Sequence, residues 1–224
     1  MPVRLSAAIT LAAFLCTAQA AAVSQPSASG LQRVDSSKVN YARVLPGVAW
    51  SRYRTVEIRQ LVIPDEVRDT APRGTKPGFG ESYILGDKEV EMLQKAYAEA
   101  MRNALEKDSG FRIVAAPEAG TLVLAAKLID IRLNAPVKRR NEGRSRIYTQ
   151  TSGSMTIAAV LADGDTGQVL VEVADRRYPA NDMWRINNRV TNLADARQIF
   201  GRWGRVLRDW LDEKHAAAEK RAAR

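Results

Sequence analysis

Cysteine and histidine are nearly absent from this chain of 224 residues, which contains one of each, Cys16 and His215. Cys16 lies in an apolar N-terminal segment. If that segment is removed, the remaining chain has no disulfide, no thiolate nucleophile and no cysteine-ligated metal. His215 lies beside Lys214 and a run of alanines near the C-terminus, where we expect a solvent-exposed residue. These scarcities disfavour Ser-His-Asp, Cys-His and histidine–metal chemistry and leave carboxylates or lysines as the simple catalytic groups.

Several common signatures are missing as well. The chain has no phosphate-binding Walker loop and no dinucleotide-binding GxGxxG motif. No stretch after the N-terminal segment is apolar over the roughly 18–20 residues that a transmembrane helix needs. We find no internal repeat of solenoid length. The sequence therefore predicts no cofactor, no metal site, no catalytic residue and no transmembrane span, and we expect a non-enzymatic protein.

The first twenty residues have the pattern of a secretory signal peptide. A short basic start precedes an apolar run over residues 5–16, and Ala18 and Ala20 then form the small-x-small pair of a cleavage site. The pattern predicts cleavage near Ala20 and a periplasmic protein. The alternative is an outer-membrane lipoprotein anchored through Cys16, which the bulky Leu15 directly before the cysteine disfavours.

The rest of the chain is predicted to form one domain. Residues 21–30 are small and polar and are typical of a flexible linker. We place a single α+β domain at residues 31–215 and a disordered basic tail at residues 216–224. A chain of this size buries roughly 70% of its unfolded surface, which is enough to fold without disulfides.

The chain is basic, with a net charge of +9 that arginine dominates, at 25 Arg against 9 Lys. The densest basic run lies at residues 138–146. Its five cationic residues are the candidate site for an anion or a partner: Lys138, Arg139, Arg140, Arg144 and Arg146. In an exported protein such a run favours an envelope protein, an anionic lipid or lipopolysaccharide, rather than nucleic acid. The alternative is a solvated loop whose charge serves only solubility.

Hydrophobic periodicity predicts a mainly antiparallel mixed sheet with two long amphipathic helices packed on one face. The predicted strands cover residues 53–63, 111–114, 121–133, 154–162 and 168–176, and the predicted helices cover residues 87–109 and 193–215. The apolar phase changes near Gln60 and again within residues 121–133, which indicates bulges or burial on both faces. Residues 64–86 are predicted to be a long loop.

The helix ends and helix packing give more specific expectations. Asp87 and Asn192 are the expected N-caps of the two helices. Trp203 belongs to the apolar stripe of the second helix and is expected in the core. Gly201 and Gly204 weaken that helix, and we expect them to allow its close approach to the sheet.

Two acidic patterns in the sequence resemble parts of known functional sites. Residues 163–167 begin like a calcium loop, but the sixth and twelfth positions hold Gln168 and Ala174 instead of Gly and Glu, so the pattern favours a hairpin turn. Glu57 and Asp130 lie in predicted strands, and two carboxylates about 5–10 Å apart could cleave a glycosidic bond. Their spacing in the sequence does not show that they meet.

Residues 41–48 (YARVLPGV) and 53–56 (YRTV) resemble the opening of the bacterial domain-of-unknown-function family 3313. Residues 90–105, 111–114 and 163–170 are similar to later segments of that family, so the resemblance covers roughly residues 31–213. It implies an exported, often lipoprotein-like envelope protein of uncharacterised role and supplies no catalytic residues. The chain departs from the lipoprotein pattern at Leu15 and Cys16.

Three functional hypotheses follow. The first is a periplasmic protein that binds or scaffolds an envelope component, with residues 136–150 as the contact. The second is a carboxylate-dependent hydrolase of cell-wall polymer, which a cleft pairing two carboxylates would favour. The third is a nucleic-acid-binding protein, which an uncleaved N-terminus in the cytosol would favour.

Overall fold

The computed structural model describes residues 30–68, 84–107, 110–133, 148–149, 153–179, 185–186 and 189–222. The signal-peptide pattern, Cys16 and nearly all of the predicted linker lie outside these ranges. The described elements, in chain order, are β1 (Gln32–Arg33), β2 (Tyr41–Val44), a 3-10 turn (Trp50–Arg52), β3 (Thr55–Ile58), α1 (Asp65–Arg68), α2 (Asp87–Glu106), β4 (Arg112–Val114), β5 (Thr121–Leu133), β6 (Tyr148–Thr149), β7 (Gly153–Asp163), β8 (Val169–Arg177), β9 (Arg185–Ile186) and α3 (Arg189–Ala222).

Seven strands form one mixed sheet in the order β1-β2-β8-β7-β5-β3-β4. In this spatial order, the neighbouring strands β1, β2, β8, β7 and β5 are all antiparallel to one another. Strand β3 pairs in parallel with both β5 and β4. Parallel pairing of β3 and β4 requires a crossover connection, and this connection contains α2. Helices α2 and α3 pack against this sheet, so the predicted α+β fold is confirmed.

The change of apolar phase in β5 is a β-bulge. Leu128 pairs with Ile157 and Asp130 pairs with Thr156, so Ile129 is an extra residue in the ladder. Ile129 is accordingly exposed, and the buried phase passes from Leu128 to Ile131. The bulge lets β5 keep large apolar residues toward the helices along its whole length.

The strand predicted over residues 53–63 is shorter in the structure. Its ladder ends at Ile58, and the chain pairs again with β5 only at Val62, opposite Lys127. Four residues on this side match three on β5, which accounts for the phase change near Gln60. The loop predicted from residue 64 begins with the short helix α1.

The N-cap of helix α2 lies one residue before the predicted N-cap, Asp87. Its N-cap is Gly86, so Asp87 is the first helical residue and does not cap it. Asp87 instead contributes negative charge at the positive end of the helix, where it also pairs with Arg68 at 2.9 Å. The predicted apolar stripe is buried, including Val90, Leu93 and Tyr97.

Helix α3 is longer at both ends than predicted. It begins at Arg189, so Asn192 lies inside the helix and is not its cap. It continues to Ala222 through most of the segment predicted to be a disordered tail, because alanine, glutamate and lysine favour helix and no Gly or Pro interrupts them.

His215 is buried, which corrects the expectation of an exposed residue. It is 8% exposed, and its ring packs on Phe111 with 5.1 Å between centroids. Nearby, Trp210 makes an edge-on contact with Trp50 at 4.9 Å. The C-terminal half of α3 is therefore docked against the 3-10 turn and the start of β4.

Gly204 allows close approach to α2 rather than to the sheet. A Cβ atom at Gly204 would lie 2.8 Å from the Cβ of Ala104 and 3.2 Å from the carbonyl oxygen of Ala100. A Cβ at Gly201 would meet only the mobile end of the Arg205 side chain, at 3.6 Å. The two glycines therefore have different roles.

Four short strands of the structure were not predicted from the sequence. These are β1 and β2 at one edge of the sheet and the small separate pair β6 and β9. Strand β2 pairs with β8 over four residues and places Ala42 and Val44 on the sheet beside the helices. None of the helices within the described ranges is long and apolar enough to cross a membrane.

Candidate functional site

The sheet has a floor of small side chains beneath α3. Register aligns Ala42 of β2 with Val173 of β8, and Val173 with Ala159 of β7. The next row on the same face aligns Val44, Val171 and Leu161. Because alanine and valine are short, the first row leaves space between the sheet and the helix.

Helix α3 forms the roof of this space. Trp203, Val206, Leu207 and Trp210 recur at three- and four-residue spacing and face the floor. The result is a cavity of about 390 Å³, called here the α3 pocket. Its inner wall includes Tyr97 of α2. The volume lies within the range of about 300–1,000 Å³ typical of small-molecule sites.

One buried carboxylate lines the α3 pocket. Asp175 is 4% exposed and accepts hydrogen bonds from Trp203 Nε1 at 2.9 Å, Arg177 Nε at 2.7 Å and the Asn40 backbone N–H at 3.0 Å. These donors satisfy both carboxylate oxygens. Asp175 therefore connects α3, β8 and the segment before β2, and its lone pairs are largely occupied.

Tyr97 is a second polar residue among those that line the pocket. Its side chain is 1% exposed, and its hydroxyl has no hydrogen-bond partner among the described residues. The ring packs edge-on against Phe200 at 5.7 Å. Burial raises the pKa of this phenol, so it stays protonated at any physiological pH.

The mouth of the α3 pocket lies between α3 and residues 34–39, the segment that joins β1 to β2. Lys38 spans this mouth and pairs with Glu213 of α3 at 2.8 Å. Both side chains are substantially exposed, so water screens the pair and it adds little stability. The pair can therefore open without a large energetic penalty.

The predicted hairpin turn after β7 is confirmed, and its acid is structural. Asp163 is buried and accepts hydrogen bonds from the Tyr53 hydroxyl at 2.6 Å, from the backbone N–H groups of Asp165 and Thr166, and from Arg52. Burial alone would raise the pKa of Asp163, but these hydrogen bonds outweigh it and lower the pKa to about 2. Burial and the bond to Asp163 raise the pKa of Tyr53 to about 12.

Glu57 and Asp130 do not form a catalytic pair. Glu57 lies opposite Val123, seven residues from Asp130 along β5, which corresponds to about 23 Å of strand. Asp130 instead binds Arg132 at 2.9 Å and Arg176 at 2.6 Å. Among the described residues, no group of three or more His, Cys, Asp or Glu is arranged to hold a metal ion.

The predicted basic site falls between β5 and β6 in the sequence. Its residues, Lys138, Arg139, Arg140, Arg144 and Arg146, lie outside the described ranges. Their proposed contact with an anion or a partner stays a prediction.

The residues of the α3 pocket were not identified as a site from the sequence. The periodicity assigned Ala159 to the same face of its strand as Ile157 and Leu161, and an alanine among large residues is a local signal of unfilled space. The alignment of Ala42 and Val173 with it depends on pairing across three strands, which no local pattern reveals.

Comparisons with known proteins identify a family and a loose structural likeness. The family model DUF3313, described as a protein of unknown function, matches residues 22–207. Among functionally curated proteins, no sequence matches the chain.

Three solved structures are similar in outline. A DUF330 protein of Xanthomonas campestris shares 15% identity over 80% of this chain and 95% of its own, with a TM-score of 0.42. The PelC dodecamer of Paraburkholderia phytofirmans shares 14% over 75% and 96%, with a TM-score of 0.40. A candidate lipoprotein of Caulobacter crescentus shares 13% over 75% and 93%, with a TM-score of 0.36. Likeness at this level says nothing of what the chain binds.

Proposed function

The chain belongs to the DUF3313 family of proteins of unknown function, and we propose that it is a non-catalytic protein of the cell envelope that binds an apolar ligand in the α3 pocket. The observation that supports this most is the cavity of about 390 Å³ between α3 and the floor of Ala42, Val173 and Ala159. An apolar pocket of this size that opens to solvent is the usual form of a small-molecule site. A ligand that fills the space removes its apolar walls from water.

The envelope location rests on the signal-peptide pattern of residues 1–20 and on the family resemblance. The basic run at residues 138–146 would bind anionic envelope components. Cleavage near Ala20 would give a soluble periplasmic form, whereas lipidation of Cys16 would give an anchored one.

A non-catalytic role is supported by the chemistry of the pocket walls. Asp175 is held by three donors, and Tyr97 remains a neutral phenol. Neither group is prepared to abstract a proton or to attack a substrate. The remaining walls are mainly apolar side chains, which suit binding by burial of surface.

The test is a titration of the purified full chain with N-phenyl-1-naphthylamine, a neutral apolar fluorophore. We expect saturable binding by the parent and its loss in Ala159→Phe, which places a phenyl ring on the floor. Ala158→Phe is the matched control, because adjacent residues of β7 face opposite sides of the sheet. We expect that control to bind as the parent does.

A second blocking variant protects the test against misfolding. Ala42→Leu narrows the pocket from β2 with a smaller change in volume. Thermal unfolding of each variant establishes that it is folded before binding is compared. Binding that survives in folded Ala159→Phe and Ala42→Leu would overturn the proposal.

A further inference from the structure

A positively charged depression adjoins the mouth of the α3 pocket. It is lined by residues 36–40, 175–179 and Arg202, and it shares residues 36–39 and Asp175 with the pocket. Its cationic side chains, called here the cationic rim, are Lys38, Arg176, Arg177 and Arg202. Tyr178, which is 56% exposed, adds an aromatic surface beside them. An apolar cavity thus opens directly beside a group of cations.

The four cations of the rim differ in their partners. Arg177 is paired with Asp175 at 2.7 Å, and Lys38 is paired with Glu213 at 2.8 Å. Asp130 is shared by Arg176 and Arg132. Arg202 donates to the backbone carbonyl of Tyr178 at 3.1 Å and has no carboxylate partner in the part of the chain that the structure describes. Three of the four rim cations are therefore paired with a carboxylate and Arg202 is not, while Asp35 also lines the mouth and Asp209 acts on Lys38.

We propose that the occupant of the α3 pocket is a free fatty acid, with its single alkyl chain in the pocket and its carboxylate on the cationic rim. This inference rests on the proposed function and specifies its ligand. The cavity is near the small end of the range for ligand sites, which suits one alkyl chain rather than two. One rim cation without a carboxylate partner among the described residues, Arg202, suits a monoanion.

Two groups of the rim are placed to receive the carboxylate. The guanidinium of Arg202 matches the geometry of a carboxylate and is bound only to a carbonyl among the described residues. Lys38 exchanges its exposed partner Glu213 for the carboxylate of the ligand, which also opens the mouth. Arg177 stays with Asp175 and holds the backbone of Lys38 in place through its second nitrogen.

The experiment compares three probes of equal chain length below their micellar concentrations: dodecanoate, dodecanol and dodecyltrimethylammonium. Each displaces N-phenyl-1-naphthylamine from the full chain. We expect dodecanoate to do so at roughly tenfold lower concentration than the alcohol, the difference expected for a charge-assisted hydrogen bond. Added salt should weaken the binding of dodecanoate and leave the binding of dodecanol unchanged.

The matched variants separate the head group from the chain. In the double variant Arg202→Gln and Lys38→Gln, we expect dodecanoate to bind no more tightly than dodecanol. The binding of dodecanol itself should be unchanged. The control is Arg205→Gln, an exposed arginine on α3 that lines neither depression, and it should keep the preference of the parent.

The outcomes distinguish this inference from the proposed function. Equal displacement by the three probes, or a preference that survives the double substitution, overturns the fatty acid and leaves an apolar pocket. Tighter binding of lysophosphatidylglycerol with the same chain overturns the carboxylate in favour of a phosphate head group. Failure of every probe to displace the bound fluorophore overturns the fatty acid alone, whereas fluorophore binding that survives in folded Ala159→Phe and Ala42→Leu overturns the proposed function.

Discussion

Trp203 donates its indole N–H to the buried carboxylate of Asp175 at 2.9 Å, and this hydrogen bond attaches the roof of the α3 pocket to its floor. The same carboxylate holds Arg177 and the backbone of Asn40. The position of α3 over the sheet, and hence the width of the pocket, therefore depends on a polar contact as well as on apolar packing.

We expect Trp203→Ala to lower the free energy of unfolding by about 3–5 kcal/mol, the usual range for a buried large aromatic residue. Trp203→Phe keeps most of the ring but removes the donor to Asp175. It should cost less, about 1–3 kcal/mol. Urea denaturation measures both, and a Trp203→Ala variant as stable as the parent would show that the indole is not part of the core.

Two buried tyrosines should respond differently to loss of the hydroxyl. Tyr53→Phe removes a hydrogen bond to the ionised Asp163 and should cost about 1.5–3 kcal/mol, the range for bonds to charged groups. Tyr97→Phe removes a hydroxyl without a described partner and should be neutral or slightly stabilising. Urea denaturation measures both variants. Equal losses of stability would contradict the finding that the Tyr97 hydroxyl has no hydrogen-bond partner among the described residues.

Two glycines of α3 give a second matched pair. Gly204→Ala brings a methyl group within 2.8 Å of Ala104, so it should separate α3 from α2 and destabilise the protein despite a better helix propensity. Gly201→Ala has room and should stabilise it by about 0.5–1 kcal/mol. A melting temperature that rises for Gly204→Ala as it does for Gly201→Ala would refute the close contact between α3 and α2 at Gly204.

The buried His215 should make stability depend on pH. Burial, and then the charge of Arg54, lowers its pKa below the usual value, and this outweighs the opposing effects of Asp212, Glu219 and a backbone hydrogen bond with Trp50. Below about pH 6.5 the unfolded chain binds a proton that the folded chain does not, so stability falls as pH decreases, by at most about 1.4 kcal/mol per unit. The fall ends once pH is below the folded pKa.

The control for this pH dependence is His215→Gln, which cannot titrate. Because the chain has one histidine, urea denaturation between pH 7.5 and about 5.5 isolates its effect. We expect the slope in the parent and a nearly flat profile in the variant. A parent profile that is also flat would show that His215 is as accessible to protons when folded as when unfolded.

Local patterns were enough to predict the sheet-and-helix fold. The hairpin of β7 and β8 and the phase change within β5 are visible because each is encoded by neighbouring residues. The same local view placed Asn192 at a helix end, where the helix in fact continues toward Arg189. Capping signals come from a few neighbouring residues and do not predict such an extension of the helix.

The parts that were not predicted depend on distant contacts. His215 is buried by Phe111, which lies more than a hundred residues earlier in the chain. The floor of the α3 pocket requires Ala42, Val173 and Ala159 to align on three strands. Ala159 signals unfilled space within its own strand, but only register brings it together with Ala42 and Val173 beneath α3.

The central claim is that the α3 pocket admits an apolar chain beside Trp203 and Trp210. Fluorescence quenching by 12-bromododecanol tests it most directly, because bromine quenches only an indole that it contacts. We expect saturable quenching in the parent and in Ala158→Phe, and loss of it in folded Ala159→Phe. Quenching of folded Ala159→Phe to the same extent as the parent would contradict the account.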